Sequence, residues 1–82
     1  MSRRLDLNLL PIVVALYGRR SVSQAALSLG MSQPAVSAAL AKLRAHFDDP
    51  LFVRTPHGME PTPRAAAIAR SARGGLDRIE QE

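Results

Sequence analysis

The chain has no cysteine and no tryptophan among its 82 residues. The first absence excludes disulfides, thiolate-bound metals and a cysteine nucleophile. A domain of this size buries only about 60% of its unfolded surface and is marginal by itself, so oligomerisation is the expected source of extra stability. Aromatic residues are scarce, one Tyr and two Phe, which leaves few stacking platforms for a reader of RNA. No apolar run approaches the ~20 residues that span a bilayer. Arg3 and Arg4 ahead of the run from Leu9 to Tyr17 loosely mimic a signal peptide, but Asp6, Asn8 and Pro11 interrupt it and no small-residue cleavage site follows. Export is therefore not expected. The two histidines fall in different elements, no carboxylates cluster beyond Asp48-Asp49, and no Gly-rich phosphate loop follows a strand. An enzyme, a metal site and a cofactor are not expected.

Positive charge is what the chain does have: 11 Lys and Arg against 7 Asp and Glu, a formal net charge of +4. The planar donor fork of Arg suits phosphate, and the balance favours an anionic partner, nucleic acid or a membrane surface. A few surplus cations on a solvated surface are the plain alternative.

The apolar pattern predicts a first helix from Asp6 or Leu7 to Gly18, with Leu9, Ile12, Val13, Leu16 and Tyr17 on one face. Asp6 can cap its amino end or favour its positive dipole end, Pro11 allows a small bend, and Gly18-Arg19-Arg20 is its exit. Ser21-Val22-Ser23-Gln24 matches a capping box, with Ser23 a rival cap. The second helix is short and ends at Gly30, which supplies a left-handed stop. Its paired Ala25 and Ala26 serve either a tight helix crossing or simple helix propensity.

Ser32 caps a third helix, with Pro34 in its first turn and Val36, Leu40, Leu43 and Phe47 as a buried stripe. Asp48-Asp49-Pro50 stops it. Its other side carries Gln33, Pro34, Ser37, Ala38, Ala41 and Lys42, almost bare of the charge that clothes a solvated helix face. Leu51-Phe52-Val53-Arg54, a Thr55-Pro56-His57-Gly58 turn and Met59-Glu60-Pro61 read as a short β-ribbon that must lean on the helices through Leu51 and Phe52. Thr62 caps a last helix starting at Pro63. Ala65, Ile68, Ala69, Ala72, Leu76 and Ile79 form its apolar stripe, and Gly74-Gly75 weakens it late.

The order short helix, Gly-containing turn, second helix is the helix-turn-helix unit. In that unit the second helix enters the DNA major groove, which just admits a helix, so bulky outward side chains would hold it away. A bare face on the third helix fits this use. Gln33 suits adenine, Ser37 a base or a phosphate, and Ala38 or the Pro34 ring a thymine methyl. The amino ends of helices two and three, with Ser23 and Ser32, can bind phosphate. Lys42 and Arg44 can track a phosphate strand, and Arg54 can enter a narrow minor groove. Each has a duller alternative: Ser32 as a cap, Lys42 and Arg44 as solvated charges, Arg54 paired with Asp48 or Asp49. His57 reads as a turn residue, His46 as a cation at a helix exit and Tyr17 as core.

The run AALSLGMSQPAVSAALAKLRAHFDDPLFVRTPHGMEPTPRA resembles the amino-terminal DNA-binding domain of LysR-type transcriptional regulators. The diagnostic pieces are Ala25-Ala26, Ser32 to Ser37, Leu51-Phe52-Val53-Arg54 and Thr62-Pro63-Arg64-Ala65. LDLNLL, PLFVR and PTPRA together look most like the nodulation-regulator branch. The resemblance implies a mainly α fold: a winged helix-turn-helix, three helices plus a two-stranded wing, over residues 1–61, then a long linker helix over residues 62–82. It implies base contacts at Gln33, Pro34, Ala35, Ser37 and Ala38, and a wing arginine at Arg54 in the minor groove. Phosphate contacts fall on Ser21, Ser23, Ser32 and Lys42. The linker helix implies a homodimer, placing Ile68, Ala72, Leu76 and Ile79 at its interface, and tetramers in longer family proteins. It also implies a cytoplasmic regulator at the bacterial nucleoid, bound to double-stranded, pseudo-palindromic DNA, with a small-molecule-sensing domain outside these residues. Many relatives carry Arg where this chain has Ala38, so readout here leans on Gln33, Ser37 and DNA shape. A winged helix that docks protein instead of DNA is the rival, and the retained Lys42, Arg44 and Arg54 weigh against it.

Overall fold

The computed structural model describes the backbone of residues 7–81 and the side chains of residues 8–73. A 3-10 turn, Leu7–Leu9, leads into α1, Leu10–Arg19; α2 is Val22–Leu29 and α3 is Gln33–Phe47. Strands β1, Phe52–Thr55, and β2, Gly58–Pro61, form an antiparallel wing in the register Phe52 with Pro61 to Thr55 with Gly58. The last helix, α4, is Pro63–Gln81 and runs through Gly74-Gly75.

The first helix differs from expectation at both ends. Its α-helical part starts at Leu10, three residues late, because Leu7–Leu9 winds as 3-10 helix. Pro11 therefore sits in the first α-helical turn, where its missing N–H removes no helical bond. The proposed cap Asp6 lies outside the described residues. At the other end Gly18 stays helical, and the left-handed stop falls on Arg20, at φ 60°, whose N–H donates to the Leu16 carbonyl. A non-glycine residue is uncommon there. Arg20 is held by what it touches: its carbonyl accepts from Met59 N–H at 2.9 Å, and its Nε donates to the Tyr17 carbonyl at 2.7 Å.

Helices α2 and α3 follow the sequence closely. Ser21 Oγ accepts from Gln24 N–H, settling the cap in its favour, while Ser23 lies inside the helix with its hydroxyl 3.0 Å from that of Ser21. Gly30, at φ 67°, ends α2. Ser32 Oγ accepts from Ala35 N–H at 3.2 Å. Val36, Ala39, Leu40 and Leu43 are buried, and Ala25 and Ala26 are buried where α2 meets α1 and α3. The core joins these to Ile12, Val13 and Leu16 of α1, Leu51 and Phe52 at the wing, Met59 of β2, and Ala65 and Ala69 of α4. Tyr17 is half-buried against this core, as its core reading requires.

The start of the wing departs from expectation by one residue. Leu51 is fully buried, but it is not in the strand; its φ is 62°, and Phe52 N–H donates across it to the Pro50 carbonyl at 2.6 Å. That is the geometry of a γ-turn with positive φ, a rare and strained form. Four bonds hold it. Leu51 N–H donates to Asp49 Oδ2 at 2.9 Å, and the Leu51 carbonyl accepts from Thr62 N–H at 2.8 Å. Arg44 donates through Nε to the Pro50 carbonyl at 2.7 Å and through Nη2 to the Phe52 carbonyl at 2.8 Å. Strain of this kind, about 1–3 kcal/mol, persists only where the surroundings over-determine it. Thr62 also caps α4, accepting from Ala65 N–H while donating to Asp49 Oδ2 at 2.7 Å.

Candidate nucleic-acid interface

The solvent side of α3 is small and open. Gln33, Pro34, Ser37, Ala38, Ala41 and Lys42 are exposed, while Ala35 is half-buried. Positions 33 to 41 cover about 12 Å of helix axis at 1.5 Å per residue, and Lys42 borders that stretch as its nearest cation. The opposite face of the same helix is in the core, so the bare face can be offered outward without moving the helix.

The amino ends differ in what they leave free. Cap bonds take up the N–H groups of Gln24 and Ala25 at α2, and of Ala35 and Val36 at α3. Pro34 has no N–H. The first-turn donors that remain for an anion are Val22 and Ser23 at α2 and Gln33 at α3. Ser21 and Ser23 are half-buried and Ser32 is exposed. The hydroxyls of Ser21 and Ser32 serve first as caps, and the three serines line the same ends that would face phosphate.

Between α3 and the wing runs a groove of about 390 Å³, lined by Ser37, Leu40 and Arg44 from the helix and Phe52, Val53 and Arg54 from β1. Arg54 is exposed, and among the described residues it makes no ion pair with Asp48 or Asp49. Asp49 is engaged with Thr62 and Leu51. Those two hydrogen bonds, with the nearby Arg64 charge, hold its carboxyl below the ordinary value of 3.8 against the opposing effect of burial. Arg44 occupies a different place from Lys42: its guanidinium reaches back over the Asp48–Pro50 turn to the wing. His57 is exposed at the wing tip, and its N–H donates to Thr55 Oγ1 within the turn. His46 meets the edge of the Phe47 ring, centroids 4.8 Å apart, and Arg64 lies over that ring at 5.9 Å.

The residues that hold the wing were largely missed by pattern reading. On its inner edge Met59 N–H bonds the Arg20 carbonyl, and Arg20 Nη1 pairs with Glu60 at 3.4 Å, both side chains 40% exposed. Such a pair contributes little, about 0–1 kcal/mol, so the backbone bond matters more. Gly58, at φ 109°, passes so close to Arg20 that an added Cβ would stand 2.7 Å from its carbonyl oxygen. The sequence signal for the outer edge was Asp49-Pro50, since Asp before Pro favours a turn in which the carboxylate accepts from the N–H two residues on.

Of the expected dimer residues, Ile68 and Ala72 are half-buried in the single chain, Ile68 against the core. Leu76 and Ile79 lie outside the residues whose side chains are described. No helix is long and apolar enough to cross a membrane, and no group of three or more His, Cys, Asp or Glu could hold a metal, among the described residues.

Three helices with a tight second turn, a two-stranded wing and a following helix define the class of winged helix-turn-helix DNA-binding domains. Residues 7–66 match the family described as bacterial regulatory helix-turn-helix protein, lysR family, and the chain belongs to that family. It is 58% identical over 67 residues to the transcriptional activator NahR of Pseudomonas putida, covering 82% of this chain and 22% of that one. It is 50% identical over 76 residues to Nodulation protein D 2 of Sinorhizobium fredii, covering 93% and 24%. The chain thus spans roughly a quarter of the length of these relatives. Among solved structures, the probable transcriptional regulator PA0477 of Pseudomonas aeruginosa superposes with TM-score 0.88 at 44% identity, over 96% of this chain and 26% of that one. The BenM DBD in complex with catB site 1 DNA superposes with TM-score 0.83 at 25% identity, over 94% and 86%.

Proposed function

We propose that this chain reads double-stranded DNA by sequence, as the DNA-binding module of a transcriptional regulator, with α3 in the major groove and Arg54 in the minor groove. The observation that carries the proposal is the exposed, small-residue face of α3, set on a helix whose other face is locked in the core. Gln33, Pro34, Ala35, Ser37 and Ala38 meet base edges. Ser21, Ser23, Ser32 and Lys42 meet phosphates, with the free N–H groups of Val22, Ser23 and Gln33 beside them. The BenM DBD, of the same fold, is described in complex with DNA, which supports this assignment.

Two copies join through α4, with Ile68, Ala72, Leu76 and Ile79 at the contact, and read half-sites of a pseudo-palindrome about 34–36 Å apart or a multiple of that. Larger assembly and small-molecule sensing belong to sequence beyond residues 1–82. The setting is the bacterial cytoplasm, at the nucleoid, and no catalytic role is assigned.

Fluorescence anisotropy with duplexes selected from a random pool tests this. Gln33→Ala lowers specific affinity by about 1–3 kcal/mol, one good base contact. Arg54→Ala weakens binding to most sequences and reduces the salt slope. If neither variant changes binding, the interface lies elsewhere.

A further inference from the structure

Arg44 stands on the recognition helix, where a cation would be taken for a phosphate contact. Its geometry says otherwise. Both Nε and Nη2 are spent on carbonyls, those of Pro50 and Phe52, at 2.7 and 2.8 Å. Those two carbonyls flank Leu51, the strained residue from which β1 departs. The Phe52 carbonyl lies on the outer edge of β1, where β2 gives it no donor: Phe52–Pro61 is a non-hydrogen-bonded pair of the ladder, like Arg54–Met59, whose Met59 N–H turns outward to the Arg20 carbonyl. Two residues further along β1 is Arg54, and the groove between α3 and the wing is lined by both arginines and Ser37. A planar fork that bonds two carbonyls at once fixes an angle as well as a distance, which a lysine ammonium cannot reproduce.

We infer that Arg44 is a positioning residue for DNA recognition: its guanidinium locks the base of the wing to α3 and so sets where Arg54 stands relative to the base-reading face. The inference rests on the proposed function for its consequence in DNA binding, but the lock itself exists in the free protein. It assigns Arg44 a role distinct from that of Lys42, whose side chain is exposed on the face that would meet DNA.

Arg44→Lys is the informative variant, because it keeps the charge and removes the fork. Binding of a selected duplex is measured by anisotropy over a range of salt for the 82-residue chain and the variants Arg44→Lys, Arg54→Ala, Gln33→Ala and the doubles. Positioning predicts that Arg44→Lys weakens binding although the charge is kept, with a salt slope lowered no further than in Arg54→Ala and not lowered again when the two are combined. It also predicts that combining it with Arg54→Ala costs less than the product of the two single losses by at least about twofold, the small end of coupling between residues acting through one another. Combination with Gln33→Ala gives the simple product, which a general loss of stability would not single out. Binding equal to wild type in Arg44→Lys, together with a slope about 0.9 shallower in Arg44→Gln, is the signature of a phosphate contact and overturns the inference. Amide hydrogen exchange on the free protein provides the arm that does not involve DNA: Arg44→Lys accelerates exchange in β1 and β2 while α1 and α3 keep their protection. Unchanged wing protection overturns the inference even if the chain binds DNA; accelerated exchange in a chain that ignores DNA upholds the lock and refutes the proposed function instead.

Discussion

The recognition helix and the wing sit side by side, yet they are held by different forces. Helix α3 is fixed by burial: Val36, Ala39, Leu40 and Leu43 enter the core, and the helix closes its own ends with Ser32 and the left-handed Asp48. The wing gives the core only Phe52 and Met59 from its two strands, with Leu51 just ahead of them. Its remaining hold is directional, through Arg44, Asp49, Thr62 and the Arg20 carbonyl. A helix secured on one side by non-directional packing can leave its other side bare for a groove. A two-stranded ribbon, marginal on its own, needs bonds that set its angle.

The largest expected effect tests the first half of that contrast. Leu43 is fully buried in the α3 stripe. Leu43→Ala should destabilise the domain by about 2–5 kcal/mol, lost transfer energy plus the cavity left behind. Against a typical total of about 5–15 kcal/mol, that is a large share of the domain's stability. Urea denaturation followed by circular dichroism measures this, and a loss below about 1 kcal/mol would mean that the stripe is not what secures α3.

A smaller and more local effect is expected at the wing. Gly58→Ala would put a Cβ 2.7 Å from the Arg20 carbonyl oxygen at a residue with φ 109°. Backbone must move, and it is the same backbone that bonds Met59. The expected loss is more than about 1 kcal/mol, with faster amide exchange in β1 and β2 and little change in α3. Equal acceleration in both regions would erase the distinction between them.

The same contrast explains what pattern reading could reach. The stripe of α3 recurs with helical period, and its cap, its proline and its stop are local signals, so both the helix and its bare face were legible. Gly30 as a helix stop and Thr62 as a cap were legible for the same reason. The exit of the first helix was legible as Gly18-Arg19-Arg20, but not that Arg20 is the residue that turns left-handed; its carbonyl meets Met59 of β2, and no local propensity encodes that meeting. The one-residue shift at β1 has a similar origin. An apolar Leu51 reads as a strand residue, and only the bonds from Asp49 and Thr62 around it show that it turns instead. Arg44 looked like one more surface cation for a comparable reason: its spacing on α3 is visible, but its two carbonyl partners are not.

Asp49 offers the finest test, one of charge alone. Its carboxylate accepts from the Thr62 hydroxyl and the Leu51 N–H, and these bonds, with the Arg64 charge, depress its folded value below 3.8. A carboxyl whose folded value lies below its unfolded one contributes stability that is fully present above the unfolded value and disappears as pH falls through the folded one. Asn at this position can still accept one or both bonds but carries no charge. The melting temperature of Asp49→Asn should therefore lie a little below that of the wild type at neutral pH, and the gap should close as the pH drops below 3.8. Because the carboxylate ties the base of the wing to the start of α4, the difference should appear first in exchange at Leu51 and Thr62. A gap that stays constant through the acid range would mean that the wing is tied there by the shape of the turn and not by the charge of Asp49.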